Sequence, residues 1–164
     1  MHVIEANKSP NMTREFLMYY PYIFSEWTIE YKQFFGKKKT AKRFLMTNLV
    51  RGETHFIDYR VRTQQLDKSA EGEMIPPTWT EGKALEEGNE FLRRYYIHTI
   101  RSWKVPVIQN VRSQLLYLPY EIYWKTDKGK NQLYLYEYMS ETSDKLSKFS
   151  EIQDFIKQKG GVLQ

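Results

Sequence analysis

Apolar and polar residues alternate along the first part of the chain with a period of two, which is the pattern of β-strands. Residues 16–35 are rich in aromatic and β-branched side chains, and Pro21 predicts a bend or an edge position in that strand. Residues 36–39 form a turn candidate, and residues 41–50 provide a returning strand. Alternation over residues 54–63 predicts a third antiparallel strand.

A change from period two to steps of three and four predicts a helix after the polar stretch 64–77. Thr78 or Thr80 can cap its first turn, and the pair Val105-Pro106 ends it. Acidic residues crowd the start and basic residues the end, which is the order that the helix dipole favours. The apolar stripe is expected at Leu85, Gly88, Leu92, Tyr95 or Tyr96, Thr99 and Trp103.

The last third of the chain again predicts strands followed by a helix. Residues 114–124 and 132–139 alternate as strands, and residues 126–130 form a turn between them. Ser143 can cap a second helix, which ends at the pair Gly160-Gly161. Its apolar stripe is expected at Leu146, Phe149, Ile152, Phe155 and Ile156.

A Tyr-x-Pro-Tyr phrase occurs twice, at residues 19–22 and 117–120, and each copy introduces one of the aromatic strand runs. We therefore expect an internal duplication, with half-repeats over residues 13–105 and 106–164 of one domain, 13–164. The element order βββα followed by ββα favours a two-layer α+β fold, with an antiparallel sheet and helices on one face. Residues 1–12 are polar and aperiodic, so a frayed tail is expected there.

The composition is that of a protein that folds by burying apolar groups. Of the 164 residues, 41% are hydrophobic and 16% are aromatic, and none is cysteine. The lack of cysteine excludes disulfides, thiolate catalysis and cysteine-ligated metal centres. The N-terminal residues lack the apolar core of a secretory signal, and no apolar run is long enough for a transmembrane helix. We therefore expect a cytoplasmic protein without a membrane span.

The net charge of +5 is distributed in blocks. Residues 31–62 carry nine Lys or Arg against two acids, residues 63–92 carry two against seven, and residues 93–130 carry eight against two. Solvated surface charge is the ordinary account of such blocks, but bases interleaved with aromatic residues also suit single-stranded nucleic acid. A basic patch for nucleic acid would contain Lys37, Lys38, Lys39, Arg60, Arg62, Arg93, Arg94 and Arg101.

The motifs that mark the common enzyme and cofactor-binding classes are absent. The chain has no phosphate-cradling glycine loop, no Gly-x-Ser-x-Gly and no His-Glu-x-x-His. His2, His55 and His98 lack the close spacing of a zinc site, so we expect no metal and no cofactor. An enzyme is the third alternative, with a pocket assembled from His55, Arg60, Tyr120 and Glu121.

Tyrosine is the most frequent aromatic residue, with 13 copies. Because its ring is apolar and its hydroxyl needs a hydrogen-bond partner or water, tyrosine suits partly solvated grooves and interfaces. The preferred interpretation is a non-enzymatic binding domain whose tyrosine-rich sheet face takes a partner protein, a second copy of the chain or a small ligand. Nucleic-acid binding by the two basic blocks is the alternative. The face is predicted to contain Tyr20, Tyr22, Tyr117, Tyr120, Glu121, Tyr134, Tyr136 and Tyr138.

Overall fold

Strands dominate the computed structural model, which describes residues 1–5, 14–58, 61–65 and 72–160. The strands are β1 (His2–Ile4), β2 (Arg14–Lys32), β3 (Lys38–Asn48), β4 (Thr54–Ile57), β5 (Thr63–Gln65), β6 (Glu73–Met74), β7 (Val107–Asp127), β8 (Lys130–Glu137) and β9 (Thr142–Lys145). The helices are α1 (Glu81–Arg94), which continues into a π-helical turn (Tyr95–Thr99), and α2 (Ser150–Gln158), which follows a 3-10 turn (Leu146–Lys148).

The β2–β3 hairpin forms where the alternation predicted it. Its strands are antiparallel, and their register runs from Tyr22 opposite Asn48 to Lys32 opposite Lys38. β4 pairs antiparallel with β3 and completes a meander of three strands. Aromatic and β-branched residues favour this arrangement because they fit the pleated, half-buried surface of a sheet.

Helix α1 begins at a threonine cap, and Thr80 rather than Thr78 is that cap. The Thr80 hydroxyl oxygen accepts a hydrogen bond from the N–H of Lys83 at 3.2 Å. Thr78 instead donates its own hydroxyl to the carbonyl of Leu49 at 3.0 Å. Trp103, which the sequence pattern placed on this helix, lies beyond the end of the π-helical turn.

The second meander is longer at both ends than the sequence pattern indicated. β7 begins at Val107, and β8 pairs antiparallel with it. Ser143, the expected cap of the second helix, lies in β9 opposite Tyr136. The helix therefore starts later, at Ser150. The observed element order differs for this reason from the predicted βββα followed by ββα.

Besides β9, three short strands have no counterpart in the prediction. β1 pairs antiparallel with β5 and parallel with β7, where Val3 lies opposite Tyr117. β6 pairs parallel with β2. The expected frayed tail is replaced at residues 2–4 by a strand with Val3 and Ile4 buried, and residues 6–12 lie outside the described residues. A strand of three residues is too short to show a period in the sequence.

Together the described strands form a mixed sheet. Its order is β4-β3-β2-β7-β1-β5, with β6 beside β2 and with β8 paired to both β7 and β9. The α+β class is confirmed by this sheet and the two helices. The expectation of a purely antiparallel sheet is wrong, because the β1–β7 and β2–β6 pairs are parallel.

The chain divides into two compact units. The central unit comprises residues 22–61 and 77–116, and the terminal unit comprises residues 1–21, 62–76 and 117–164. In the central unit, α1 and the π-helical turn contribute Leu92 and Tyr96 to a buried cluster with Trp27, Ile29 and Leu45. Burial of these large side chains holds the helix on the β2–β3 hairpin.

In the terminal unit, tyrosine rings lie close to α2. The rings of Tyr20 and Tyr120 are 5.3 Å apart between centroids. The Tyr20 hydroxyl donates to the carboxylate of Glu151 in α2 at 3.3 Å. Ile152 and Ile156 of the same helix are buried. One member of each Tyr-x-Pro-Tyr phrase thus contributes to a single core.

Candidate functional site

The predicted tyrosine face is largely interior. Tyr22 belongs to the central unit and the other seven members belong to the terminal unit. Tyr117 and Tyr136 are half-buried. The buried members are Tyr20, Tyr22, Tyr120, Glu121, Tyr134 and Tyr138. That these side chains take part in binding stays a prediction.

One side of the β7–β8–β9 meander carries a polar network built on two tyrosines. The Tyr123 hydroxyl donates to Ser143 Oγ at 2.8 Å, and the Tyr134 hydroxyl donates to Asp127 Oδ2 at 3.1 Å. Lys145 Nζ lies 3.3 Å from the same Asp127 oxygen. The hydrogen bonds from Lys145 and Tyr134 hold the pKa of Asp127 below its ordinary value. The network thus fixes the position of Lys145.

Lys145 also lines an open cavity in the terminal unit. The cavity has a volume of about 470 Å³ and is formed by β8, the 3-10 turn and α2. Gln153 is held at its wall because its side-chain amide donates to the carbonyl of Leu146 at 3.1 Å. The lining consists of two lysines, three amides, one serine and two leucines, with no carboxylate among them: Asn131, Gln132, Leu133, Lys145, Leu146, Ser147, Gln153 and Lys157.

The predicted basic patch is distributed over both units. Arg62 belongs to the terminal unit, and Arg60 lies outside the described residues. The remaining members belong to the central unit: Lys37, Lys38, Lys39, Arg93, Arg94 and Arg101.

Three central-unit members of the basic patch are paired with carboxylates. Arg94 lies 2.8 Å from Glu87, and Arg93 lies 3.5 Å from Glu90. Lys38 Nζ lies 2.9 Å from Glu30. Exposed pairs of this kind reduce the local positive charge although they contribute little to stability. The β2–β3 turn therefore retains more positive charge than α1 does.

An exposed aromatic cluster lies at the turn between β2 and β3. It consists of Phe34, Phe35 and Trp103, which are 67%, 92% and 63% exposed, and we call it the aromatic tip. All three residues belong to the central unit. The sequence pattern placed Phe34 and Phe35 at the end of the first strand run, next to the lysines, and placed Trp103 on the apolar stripe of a helix.

The residues proposed for an enzymatic pocket are not brought together in one unit. His55 lies in β4 of the central unit, whereas Tyr120 and Glu121 lie in β7 of the terminal unit. Arg60 is outside the described residues. Across residues 1–5, 14–58, 61–65 and 72–160, no group of three or more His, Asp or Glu side chains is arranged to hold a metal ion.

Comparison with known proteins does not assign the chain to a family. No protein-family model, no curated protein and no solved structure matches the chain. Neither helix in the described part of the chain has the length and apolar character needed to span a bilayer.

The cavity residues were not found from the sequence. Lys145, Gln153 and Lys157 come from β9 and α2, and the other lining residues come from β8 and the 3-10 turn. Polar residues at such positions look like ordinary solvated side chains in a linear pattern. The cavity arises because the 3-10 turn packs against both β8 and α2, and the sequence pattern does not give this packing.

Proposed function

We propose that the chain is a cytoplasmic binding domain rather than an enzyme, and that the cavity of its terminal unit takes a small anionic ligand. The observation that carries this proposal is the lining of the cavity, which contains two ammonium groups and four neutral polar side chains but no carboxylate. Lys157 contributes one of these ammonium groups, and Lys145, which is also paired with Asp127 outside the lining, contributes the other. Hydrogen bonds between charged donors and an anion are roughly twice as strong as neutral ones. A phosphate or carboxylate group therefore fits this lining.

The size of the cavity supports a small ligand over a protein partner. Its volume of about 470 Å³ lies within the usual range for small-molecule sites. Leu133 and Leu146 give it an apolar wall, which suits a short carbon skeleton attached to the anionic group. Among the three occupants expected for the tyrosine-rich region, a small ligand is the one that this geometry favours.

The tyrosines act in this proposal by positioning a binding residue. Tyr134 and Lys145 both hydrogen-bond to Asp127, so the lysine is held at the edge of the cavity before a ligand arrives. A preorganised side chain loses less conformational entropy on binding. Tyr123 fixes β9 through Ser143 in the same way.

Titration of the whole chain with simple anions tests the proposal. We expect inorganic phosphate or citrate to shift the backbone amide signals of the lining residues in ¹H–¹⁵N spectra, and a neutral sugar to leave them unchanged. Lys157→Gln and Lys145→Gln should each weaken binding roughly tenfold, because each removes a charge-assisted hydrogen bond. Lys148→Gln is the matched control, since Lys148 lies in the adjacent 3-10 turn but outside the lining.

Either of two results would contradict the proposal. If the anions shift no lining signals at low salt, or if Lys148→Gln weakens binding as much as the two lining variants do, the cavity is not the site.

We also propose that the two meanders arose by internal duplication, with half-repeats over residues 13–105 and 106–164. Each Tyr-x-Pro-Tyr phrase lies in a long strand that begins an antiparallel meander, β2-β3-β4 or β7-β8-β9. Helix α1 follows the first meander after β5 and β6, and α2 follows the second after the 3-10 turn. The predicted placement of both helices on one face of a two-layer fold belongs to the same proposal. An experimental structure in which the two meander-helix segments do not superpose would contradict it.

A further inference from the structure

The aromatic tip exposes large apolar groups that a soluble surface normally does not need. Phe35 is 92% exposed, and Val105 and Val107 beside Trp103 in sequence are 66% and 54% exposed. These residues all belong to the central unit, and none of them lines the cavity of the terminal unit. Ligand binding in the cavity therefore does not account for the exposure of these apolar side chains.

The rings of the tip are held in a fixed arrangement. Phe34 lies edge to face against both Phe35 and Trp103, with ring centroids 5.0 Å and 5.2 Å apart. The backbone N–H of Trp103 donates to the carbonyl of Lys32 at 2.7 Å. Ser102 Oγ donates to the carbonyl of Lys104 at 2.6 Å. Two separate segments of the chain are thus joined to present three rings together.

The turn between β2 and β3 places Phe35 in a backbone conformation that is unfavourable for a bulky side chain. Phe35 has a φ of +72°, in the left-handed region that favours glycine or asparagine. Gly36, the next residue, also has a positive φ of +74°. A bulky side chain at such a position raises the energy of the folded state, and strain of this kind concentrates at functional sites. A binding contact of the exposed ring outside the chain would offset this cost.

The border of the tip is strongly basic. Residues 31–39 and 101–107 contain four and two Lys or Arg residues, respectively, and no Asp or Glu. The nearest acid described as paired with them is Glu30, whose carboxylate lies 2.9 Å from Lys38. A small recess of about 130 Å³ is lined by three lysines, one carboxylate, one tyrosine and two valines: Lys32, Lys38, Lys104, Glu30, Tyr31, Val105 and Val107. Positive and apolar groups thus alternate on one surface.

We infer that the aromatic tip docks the protein on the surface of an anionic lipid bilayer. Tryptophan and phenylalanine partition into the interfacial region, and basic groups beside them bind anionic headgroups. The exposed apolar surface continues from the rings to Val105 and Val107, which have no π face on which a base could stack. A bilayer therefore matches the tip better than single-stranded nucleic acid does.

Vesicle flotation with the whole chain tests this inference. We expect binding to vesicles of phosphatidylcholine with phosphatidylglycerol at low salt, weaker binding at high salt, and little binding to phosphatidylcholine alone. Phe34→Ser with Trp103→Ser should reduce binding roughly tenfold, because the inserted apolar area is lost. Lys37→Gln with Lys39→Gln should reduce it roughly fivefold per charge.

Two further variants separate docking from folding. Phe35→Asn should raise the thermal midpoint by relieving the positive φ, yet reduce vesicle binding, so a folding defect cannot account for the loss. Lys128→Gln with Lys130→Gln is the matched control, because it removes two lysines from the β7–β8 turn of the terminal unit. This control should bind vesicles as the unchanged chain does.

Three results would overturn the inference. The first is no binding to anionic vesicles at low salt, and the second is binding that the tip variants leave unchanged. The third is binding of a single-stranded oligonucleotide that the tip variants abolish while vesicles bind weakly, which would assign the tip to nucleic acid instead.

Discussion

At the scale of single residues, Gly52 in the turn between β3 and β4 packs closely against the side chain of Trp79. Its φ is +76°, and a Cβ placed there would lie 2.1 Å from Cζ2 of Trp79. An alanine must therefore adopt a disfavoured backbone conformation and also displace the indole ring. The ammonium group of Lys83 lies over the ring of Trp79 in a cation–π contact, 4.2 Å from the ring centroid.

We expect Gly52→Ala to lower the free energy of unfolding by about 2 to 4 kcal/mol, through backbone strain together with displacement of Trp79. Urea denaturation followed by circular dichroism gives the value. Gly129→Ala is the matched control, because Gly129 has a φ of +75° but no atom within 4 Å of its added Cβ. Only the backbone term, about 1 kcal/mol, should remain there. If both variants lose the same free energy of unfolding, displacement of Trp79 does not contribute to the destabilisation.

At the scale of elements, the start of α1 depends on one side chain. Thr80 satisfies the free N–H of Lys83, whereas Thr78 bonds to the carbonyls of Leu49 and Val50 at 3.0 Å and 2.9 Å. We expect Thr80→Ala to lower the free energy of unfolding by about 1 kcal/mol, and Thr80→Ser to restore most of it. Chemical denaturation of the two variants checks this. If Thr80→Ser lowers the free energy of unfolding as much as Thr80→Ala does, the hydroxyl cap of α1 is not the source of the effect.

The elements that the sequence predicted best are those with a long, regular period. β2, β3 and α1 lie close to their expected positions, because alternation and helical spacing persist over many residues there. β1, β5 and β6 have only three, three and two residues, too few for a period to appear. The prediction that Val105-Pro106 ends the helix was wrong, because α1 ends at Arg94 and its π-helical continuation ends at Thr99. The pair also did not show that a strand begins at Val107.

The candidate site was less accessible to prediction than the fold. Alternation shows which side chains share a strand face, but it does not show what covers that face. Tyr20 and Tyr120 illustrate this, since both are buried in the core that includes α2. The aromatic tip was visible only in part, because Phe34 and Phe35 adjoin lysines in sequence while Trp103 is brought to them by a backbone hydrogen bond to Lys32.

At the scale of the whole molecule, the two proposed sites share no residue and lie in different units. In the double variant Lys145→Gln with Phe34→Ser, the free energies of anion binding and of vesicle binding should therefore each match those of the corresponding single variant within about 0.5 kcal/mol. Anion titration should report only the first change and vesicle flotation only the second. Coupling well above that value would show that the two surfaces belong to one binding event.

The division of the terminal unit among three chain segments has a consequence for how the protein is made. All residues of the central unit have been synthesised once residue 116 is added, whereas the terminal unit still lacks residues 117–164. Until then Tyr20 has neither the ring of Tyr120 nor the carboxylate of Glu151 to contact. Apolar strand surface left open in this way promotes aggregation. The form of this protein most exposed to aggregation is therefore the nascent chain on the ribosome, in which β2 is complete long before α2 has been synthesised.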